Sequence, residues 1–395
     1  MKQRPGRVSL TCPGCCLATL LLACTAGGDA LPEWCAAPGG AQLRVAREPE
    51  GWTEPPELRP AWRIDGSSPG RELLIPSSVA VSAAAGRIAI ADFGLREVVI
   101  IGLDGAWIGR WGRSGAGPGE LRAPYAVAWR PDGRLIVYDP AGSKLVVFDT
   151  SGATLDDEPV DPAFTAALGG AARSIRLAGS GLLVAEPGAS FRGDGPLRVH
   201  AVIRGGPAGM GVDTLLRSDV PVVEVRGAGP MTAPGWHVPL GAIHGDSILA
   251  LGGDSPEYLV RIYRHGRLTH VICRPVDPLP FATEEAEPIE RDVPEPVAAA
   301  MAAAQPPPSP APFGRLTIDD DRRLWVQRDR PRTLAGLDMV VGRPGALFDV
   351  FDHDGVYLGE VRLPHNVRFL GATGDLIIGL ESSELDELSV VALRH

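Results

Sequence analysis

Residues 76–112 read PSSVAVSAAAGRIAIADFGLREVVIIGLDGAWIGRWG, and residues 124–155 repeat the pattern as PYAVAWRPDGRLIVYDPAGSKLVVFDTSGATL. Each copy contains short runs rich in Val, Ile and Leu, separated by Gly, Pro, Asp or Ser. Such runs are typical of β-strands joined by tight turns. The pairs of matching residues include Pro76 with Pro124, Gly86 with Gly133, and Asp92 with Asp139.

The spacing of the repeat predicts the architecture. Pro76 and Pro124 lie 48 residues apart, and a repeat of this length with four short strands is typical of a β-propeller blade. A single blade cannot bury both of its faces, so we expect the rest of the chain to supply more blades. Strand patterns return, with lower regularity, at 173–218, 241–274, 313–364 and 366–395.

The last segment contains three strand patterns, so its blade lacks a fourth strand. A spare strand is available between residues 42 and 65, and joining the two ends of the chain in one blade would remove exposed strand edges. The sequence therefore predicts an all-β, six-bladed β-propeller of four-stranded antiparallel blades. We expect the ring to be closed by an N-terminal strand that joins the C-terminal blade, and we expect a Pro/Ala-rich insertion at about 281–312.

Composition supports an all-β chain and disfavours one class of partner. The 395 residues include 49 Gly and 38 Pro, which favour many turns over long helices. The net charge of −10 disfavours nucleic acid, since phosphate binding needs clustered Lys and Arg.

The N-terminus has the features of an export signal. Residues 1–23 combine Lys2, Arg4 and Arg7 with a short apolar run that is too short to span a bilayer. The run ends in LLAC at Cys24, which resembles a bacterial lipobox. This predicts a lipoprotein signal peptide at 1–23, a lipid-modified Cys24, a tether at 24–41 and a propeller at 42–395. The alternative is an ordinary signal peptide cut a few residues later. We expect a cell-envelope location, lipid-anchored at the outer membrane.

Removal of the signal would leave three cysteines, Cys24, Cys35 and Cys273. With Cys24 acylated in an oxidising compartment, Cys35 and Cys273 would remain as a pair. We expect a disulfide between them, and two buried free thiols are the alternative. In the chain-entropy model a loop of this length contributes about 5 kcal/mol.

Several segments resemble one family of propellers. They are WGRSGAGPGEL at 111–121, PDGRLIVYD at 131–139, VVFDTSG at 146–152 and the late-blade segment VFDHDGVYLGEVRLP. They resemble NHL-type six-bladed β-propellers, and more narrowly the six-bladed propeller lipoproteins of the bacterial envelope. The resemblance is strong over 76–155 and 313–365 and weak over 173–272. It implies a fold, and it specifies no activity, because propellers include both binding modules and enzymes.

Metal chemistry is one possibility that enzymatic propellers suggest. Gluconolactonase-like propellers hold a divalent metal with Glu, Asn and Asp ligands, whereas this chain contains a single Asn, Asn366. Amidating lyases related to the NHL group use His ligands to zinc. His237, His244 and His365 lie near the starts of predicted inner strands and form the corresponding alternative metal site. The other interpretation is that they are surface or turn histidines.

Two further segments are given structural interpretations. The Gly-rich segment 112–119 is followed by a predicted strand, whereas a phosphate-binding loop is followed by a helix. We interpret it as a connection between blades. The Asp319, Asp320 and Asp321 triplet is interpreted as a solvated turn.

The predicted ligand site lies at the mouth of the channel. Tyr125, Arg173, Arg315 and Arg368 occur at or near the starts of innermost strands, where side chains reach the axis. Clustered Arg could bind a carboxylate, a phosphate or an acidic peptide. The alternative is that these Arg pair with Asp and Glu of the chain.

No catalytic set is evident in the sequence, so an enzyme is the less favoured interpretation. We expect a non-catalytic, lipid-anchored envelope propeller without a cofactor that binds a protein, peptide or glycan. The alternative is a metal-dependent lyase or hydrolase with its metal in the channel. A third hypothesis is a structural component of an envelope complex that docks through the Pro-rich segment 294–312.

Overall fold

The computed structural model describes residues 31–168, 172–187, 197–225, 229–232, 238–277, 311–328, 344–383 and 387–395. These residues form strands and one short helix. The first two strands are β1 (Gln42–Val45) and β2 (Arg59–Ile64). The predicted insertion lies almost wholly outside the described residues.

Six sheets follow one another along the chain as blades, as the sequence predicted. Blade 1 contains β3 (Pro76–Ser82), β4 (Arg87–Asp92), β5 (Glu97–Gly102) and β6 (Trp107–Trp111). Blade 2 contains β7 (Ala126–Trp129), β8 (Leu135–Asp139), β9 (Lys144–Phe148) and β10 (Thr154–Pro159). The helix α1 (Pro162–Leu168) follows blade 2.

Blades 3 and 4 each have five strands. Blade 3 contains β11 (Ala172–Leu177), β12 (Leu183–Pro187), β13 (Leu197–Gly205), β14 (Asp213–Val225) and β15 (Gly229–Thr232). Blade 4 contains β16 (Leu240–His244), β17 (Ile248–Gly252), β18 (Leu259–Arg264) and β19 (Arg267–Cys273), with β1 parallel to β19 at its outer edge.

Blades 5 and 6 complete the set. Blade 5 contains β20 (Arg315–Ile318), β21 (Leu324–Gln327), β22 (Leu347–Phe351) and β23 (Tyr357–Arg362). Blade 6 contains β24 (Val367–Thr373), β25 (Leu376–Ser382) and β26 (Leu388–Arg394). The strand β2 pairs antiparallel with β26 and is the fourth strand of this sheet. The N-terminal segment thus contributes two strands to two different blades, where the sequence led us to expect one.

The core lies between neighbouring blades because each blade is apolar on both faces. On β4, Ile88 and Ile90 pack against apolar side chains of blade 6, which include Ile378. Their neighbours Ala89 and Ala91 point to the opposite face and pack against blade 2. Burial on both faces explains why the strand reads as a continuous apolar run without polar alternation.

The two Asp residues at matching positions of the repeat make the same kind of backbone hydrogen bonds. Asp92 and Asp139 are fully buried. The Asp92 carboxylate accepts backbone N–H groups of Leu74 at 2.8 Å and Ile75 at 3.1 Å. The Asp139 carboxylate likewise accepts the N–H groups of Arg122 and Ala123, at 2.8 and 3.0 Å. Each Asp therefore accepts the backbone N–H groups of the segment that leads into its blade, which explains why Asp recurs at this position of the repeat.

A disulfide connects the N-terminal segment to blade 4. Cys35 and Cys273 are bonded, with their Cα atoms 5.6 Å apart and 238 residues apart in sequence. Cys273 is the last residue of β19, next to the edge strand β1. The bond therefore lies beside the parallel pairing of β1 with β19.

Candidate functional site

The innermost strands of all six blades line a central cavity of about 930 Å³. The wall combines small and apolar side chains with several charged ones. Its lining segments are 77–82, 127–129, 176–177, 242–244, 317–318 and 369–372. Arg315, the first residue of β20, also lines the cavity. The cavity also includes the turns between first and second strands, at 130–133, 179–180, 244–246 and 319–320.

Four polar residues from three blades, Tyr125, Arg176, Glu186 and Arg315, interact in or beside the channel. Arg176 and Arg315 line the cavity. The charge of Glu186 acts on both guanidinium groups, and the phenol of Tyr125 lies near both. Glu186 is held in place because its Oε1 accepts the N–H of Gly241 at 3.0 Å.

Burial perturbs the titration of this cluster. It lowers the pKa of Arg176. It also lowers the pKa of Arg315, to about 9, and the nearby Arg176 charge acts in the same direction. Burial raises the pKa of Tyr125, so its phenol is neutral at pH 7.

The structure brings together two of the four predicted ligand-binding residues, Tyr125 and Arg315. Arg368 lies on β24 outside the cavity lining, and its Nη1 donates to the Ser382 hydroxyl at 2.7 Å. Arg173 belongs to β11, and its side chain is outside the described part of the structure. Sequence reasoning missed Arg176 and Glu186, the other members of the cluster.

One end of the channel is formed by turns that are joined across blades. Asp320, in the turn after β20, accepts the N–H of Ala83 in blade 1 at 2.7 Å and the hydroxyl of Thr373 in blade 6 at 3.5 Å. His244 lines the cavity at this end. Burial lowers the pKa of His244, and the Asp320 charge opposes that shift.

The expectation that the Asp319–Asp321 turn is solvated is wrong for Asp319. Its side chain is buried. The carboxylate accepts the indole N–H of Trp325 at 2.8 Å and the Arg323 Nε at 2.7 Å. Asp319 thus holds the turn together from inside, because a buried carboxylate needs hydrogen-bond donors and an opposite charge.

The Gly-rich loop 112–119 is a connection between blades. Its Gly117 N–H donates to Glu120 at 2.8 Å, and its Gly119 N–H donates to Asp157 at 3.2 Å. These N–H groups donate to carboxylates of the chain itself, and strand β7 follows the loop. The arrangement differs from a phosphate site, in which such groups face an anion at a helix N-terminus.

The histidines proposed as an alternative metal site do not form one among the described residues. His365 is exposed and lies outside the cavity lining, whereas His237 is outside the described part of the chain. Over the residues that the structure describes, no three His, Cys, Asp or Glu side chains are grouped so as to hold a metal ion. Asn366 donates to Glu381 at 3.0 Å, away from the cavity. The described residues therefore do not fit a Glu, Asn and Asp metal site.

No helix among the described residues has the length and apolarity needed to cross a membrane. Cys24 and residues 1–30 lie outside the described part of the chain, as does most of the segment 281–312.

No family model and no curated protein sequence matches the chain. The resemblance to NHL-type propellers is therefore not confirmed. Solved structures do match. A Bacteroides fragilis protein assigned as exported shares 8% identity at a TM-score of 0.50, and the match covers 89% of this chain and 99% of that protein.

Two further matches have lower scores. A member of the DUF4221 family from Bacteroides vulgatus shares 11% identity at a TM-score of 0.46, over 86% of this chain and 98% of that protein. A gluconolactonase from Xanthomonas campestris shares 15% identity at a TM-score of 0.37, over 81% and 86%. The first match supports the propeller fold alone, and we draw no conclusion about activity from the other two.

Proposed function

We propose that this chain is an exported, lipid-anchored binding protein without catalytic activity, and that its ligand enters the central channel. The cavity lined by all six blades supports this proposal most strongly. Its volume of about 930 Å³ lies within the range of small-ligand sites. A cavity of this size accommodates a short peptide or a few sugar units, so a protein partner would insert a segment.

The mixed wall chemistry also supports a binding function. Apolar side chains such as Val79 and Val81 face the same cavity as Arg176, Arg315 and His244. Ligand sites typically combine an apolar surface with a few polar groups that fix orientation.

The envelope location rests on two features. The LLAC sequence at Cys24 resembles a lipobox, and the Cys35–Cys273 disulfide suits an oxidising compartment. Cys24→Ser should abolish incorporation of a labelled fatty acid and release the protein from the membrane fraction. Continued labelling of that variant would contradict the anchor.

Blocking the channel tests the binding function. Thr317 lines the cavity two residues after Arg315, and alternate residues of a strand share one face. Thr317→Trp should place an indole ring in the channel and obstruct it, and Thr53→Trp, at an exposed loop position, is the matched control. The wild-type protein and the Thr53→Trp control, immobilised and exposed to an extract of bacterial envelopes, should both retain a ligand that mass spectrometry identifies. The Thr317→Trp variant should retain less of it. Equal retention by Thr317→Trp would contradict binding in the channel.

A metal-dependent lyase or hydrolase is the alternative function. The observation in its favour is that His244 lines the channel close to Asp320. Elemental analysis of the purified protein tests it. A stoichiometric metal that is lost in His244→Ala would favour the alternative over a non-catalytic binding protein.

A further inference from the structure

Arg322 occupies a backbone position that glycine fills in the matching turns of two other blades. In blades 2, 3 and 5 the turn between the first and second strands is closed by an N–H that donates to the carbonyl three residues earlier. The donors are Gly133 at 2.9 Å, Gly181 at 2.9 Å and Arg322 at 3.0 Å. Their φ angles are 82°, 93° and 65°. Glycine adopts such angles without strain, whereas a Cβ atom makes them uncommon, so Arg322 is held in a conformation that suits glycine.

The residues beside this position also correspond between blades 2 and 5. The Asp132 carboxylate pairs with Arg134, and the Asp321 carboxylate pairs with Arg323 at 3.2 Å. Both turns therefore have an Asp–Arg pair on either side of the position that holds glycine in blade 2 and Arg322 in blade 5. The structure of the turn thus gives no reason for an arginine there.

The Arg322 side chain is exposed and lines the cavity at the end of the channel that these turns form. Within the described part of the chain, its guanidinium makes no hydrogen bond and no ion pair. The neighbouring carboxylates of Asp319, Asp320 and Asp321 already accept hydrogen bonds from other groups. An uncommon backbone conformation is therefore combined with a guanidinium that supports no other part of the described structure.

Arg322 lies close to a second polar side chain of the cavity, His244 of blade 4. Burial lowers the pKa of His244, and the positive charge of Arg322 acts in the same direction. The two side chains therefore stand on neighbouring blades at the same end of the channel. Backbone strain that serves no structural contact is often found at functional sites.

We propose that Arg322 is a specificity-determining residue of the channel and that its guanidinium binds an acidic group of the ligand; this inference rests on the proposed channel-binding function. A guanidinium can donate two parallel hydrogen bonds to the oxygens of a carboxylate or a phosphate. Because Arg322 lies where the turns open to solvent, the acidic group would be at the end of the ligand that is nearest to this opening.

The stability of Arg322→Gly separates a ligand-binding role from a structural one. Glycine at this φ should leave Tm unchanged or raise it by about 1–2 °C, because it relieves the backbone strain. Gly86→Arg provides the reverse change in blade 1, where φ is 63° and an added Cβ meets no atom within 4 Å. This variant should lower Tm by about 2 °C, and an unchanged Tm would remove the strain on which the proposal rests. A fall of more than about 2 °C in Arg322→Gly would show that Arg322 supports the turn and would overturn the proposal.

Arg96→Gly is the matched control for binding. Arg96 is also an exposed arginine with a positive φ, of 61°. It lies in the turn between β4 and β5, at the other end of the blade, and outside the cavity lining. The two variants therefore make the same chemical change at positions that differ in their access to the channel.

Hexaglutamate and tripolyphosphate are the probes, and they distinguish a carboxylate from a phosphate. Isothermal titration calorimetry at one ionic strength should give, for at least one probe, a Kd that rises about fivefold in Arg322→Gly and changes less than about twofold in Arg96→Gly. The probe whose Kd depends on Arg322 identifies the acidic group. Three results would overturn the proposal: no binding of either probe to the wild type, equal Kd values in the wild type and Arg322→Gly, or an equal loss in Arg96→Gly.

The two levels of inference fail separately. If Arg322→Gly binds both probes as the wild type does while the Thr317→Trp variant still loses the retained envelope ligand, the role of Arg322 is wrong and the channel-binding function stands. If the Thr317→Trp variant retains that ligand, the proposed function itself is wrong.

Discussion

Asp349 is the centre of a buried ionic network between blades 4 and 5, and its replacement by Asn should be strongly destabilising. The carboxylate is fully buried. It accepts hydrogen bonds from the Tyr258 hydroxyl at 2.8 Å and from the Arg274 Nε at 3.0 Å. The Arg328 Nη1 lies 3.7 Å away, and both arginines are almost completely buried. Arg274 directly follows the disulfide residue Cys273.

The structure allows the size of the effect to be worked out. The Asp349→Asn substitution would retain the side-chain shape and one acceptor oxygen, but it would leave two buried guanidinium groups with the partly exposed Glu360 as their carboxylate partner. Removing one member of a buried ion pair costs about 3–5 kcal/mol. At about 2 °C per kcal/mol for a chain of this size, the substitution should lower Tm by about 6–10 °C.

Differential scanning calorimetry with a matched surface variant checks this prediction. Asp375 pairs with Arg394 at 2.8 Å, and both side chains are more than half exposed. Exposed pairs contribute little, so Asp375→Asn should change Tm by no more than about 2 °C. If Asp349→Asn is as mild as Asp375→Asn, the reasoning that this network stabilises the packing of blades 4 and 5 is refuted.

Three further predictions concern the disulfide, a titrating group and the repeat. Cys35→Ser should lower the free energy of unfolding by up to about 5 kcal/mol, with loss of the response of Tm to reducing agent; an unchanged Tm would contradict a stabilising bond. Burial lowers the pKa of His244, so the unfolded chain binds a proton at this side chain more tightly than the folded chain does. The free energy of unfolding should therefore fall as the pH drops below about 6.5. His244→Gln should reduce this dependence on pH, as measured by calorimetry from about pH 7.5 to about pH 5.5. Asp139→Asn should cost about 1–3 kcal/mol in chemical denaturation, whereas Asp132→Asn in an exposed turn should cost less; the reverse order would be inconsistent with Asp139 as a buried acceptor.

The blades were predictable because their apolar runs and turns recur. Residues 76–155 contain both repeats, and their Gly and Asp positions define the turns. The short helix α1 was missed although Asp161 and Pro162 form a helix start signal, because its seven residues are too few to show helical periodicity. Its Asp161 accepts the Ala163 N–H at 2.9 Å but also the N–H groups of the distant Gly209 and Gly211. A helix that depends on such tertiary contacts gives little local signal.

The pairing of β1 with β19 was also beyond the sequence. A short parallel edge strand has no turn that fixes its partner, so its composition cannot show which blade it joins. The spare-strand reasoning gave the N-terminal segment one destination, whereas its strands pair with two blades.

The charged cluster was only partly predictable because bulges change which side chains face the channel. In β11 the register shifts between Ala172 and Ser174, just before Arg176. In β24 it shifts between Phe369 and Gly371, next to Arg368. Since a shift by one residue exchanges the two faces of a strand, alternation in the sequence could not identify Arg176 as a channel residue.

Hydrogen–deuterium exchange with and without the ligand retained from an envelope extract tests the central claim most directly. Binding in the channel predicts slower exchange in the inner-strand peptides around 77–82, 242–246 and 315–320, with no change in the outer strands at 107–111 and 154–159. Protection confined to the outer strands would contradict the claim that the channel is the binding site.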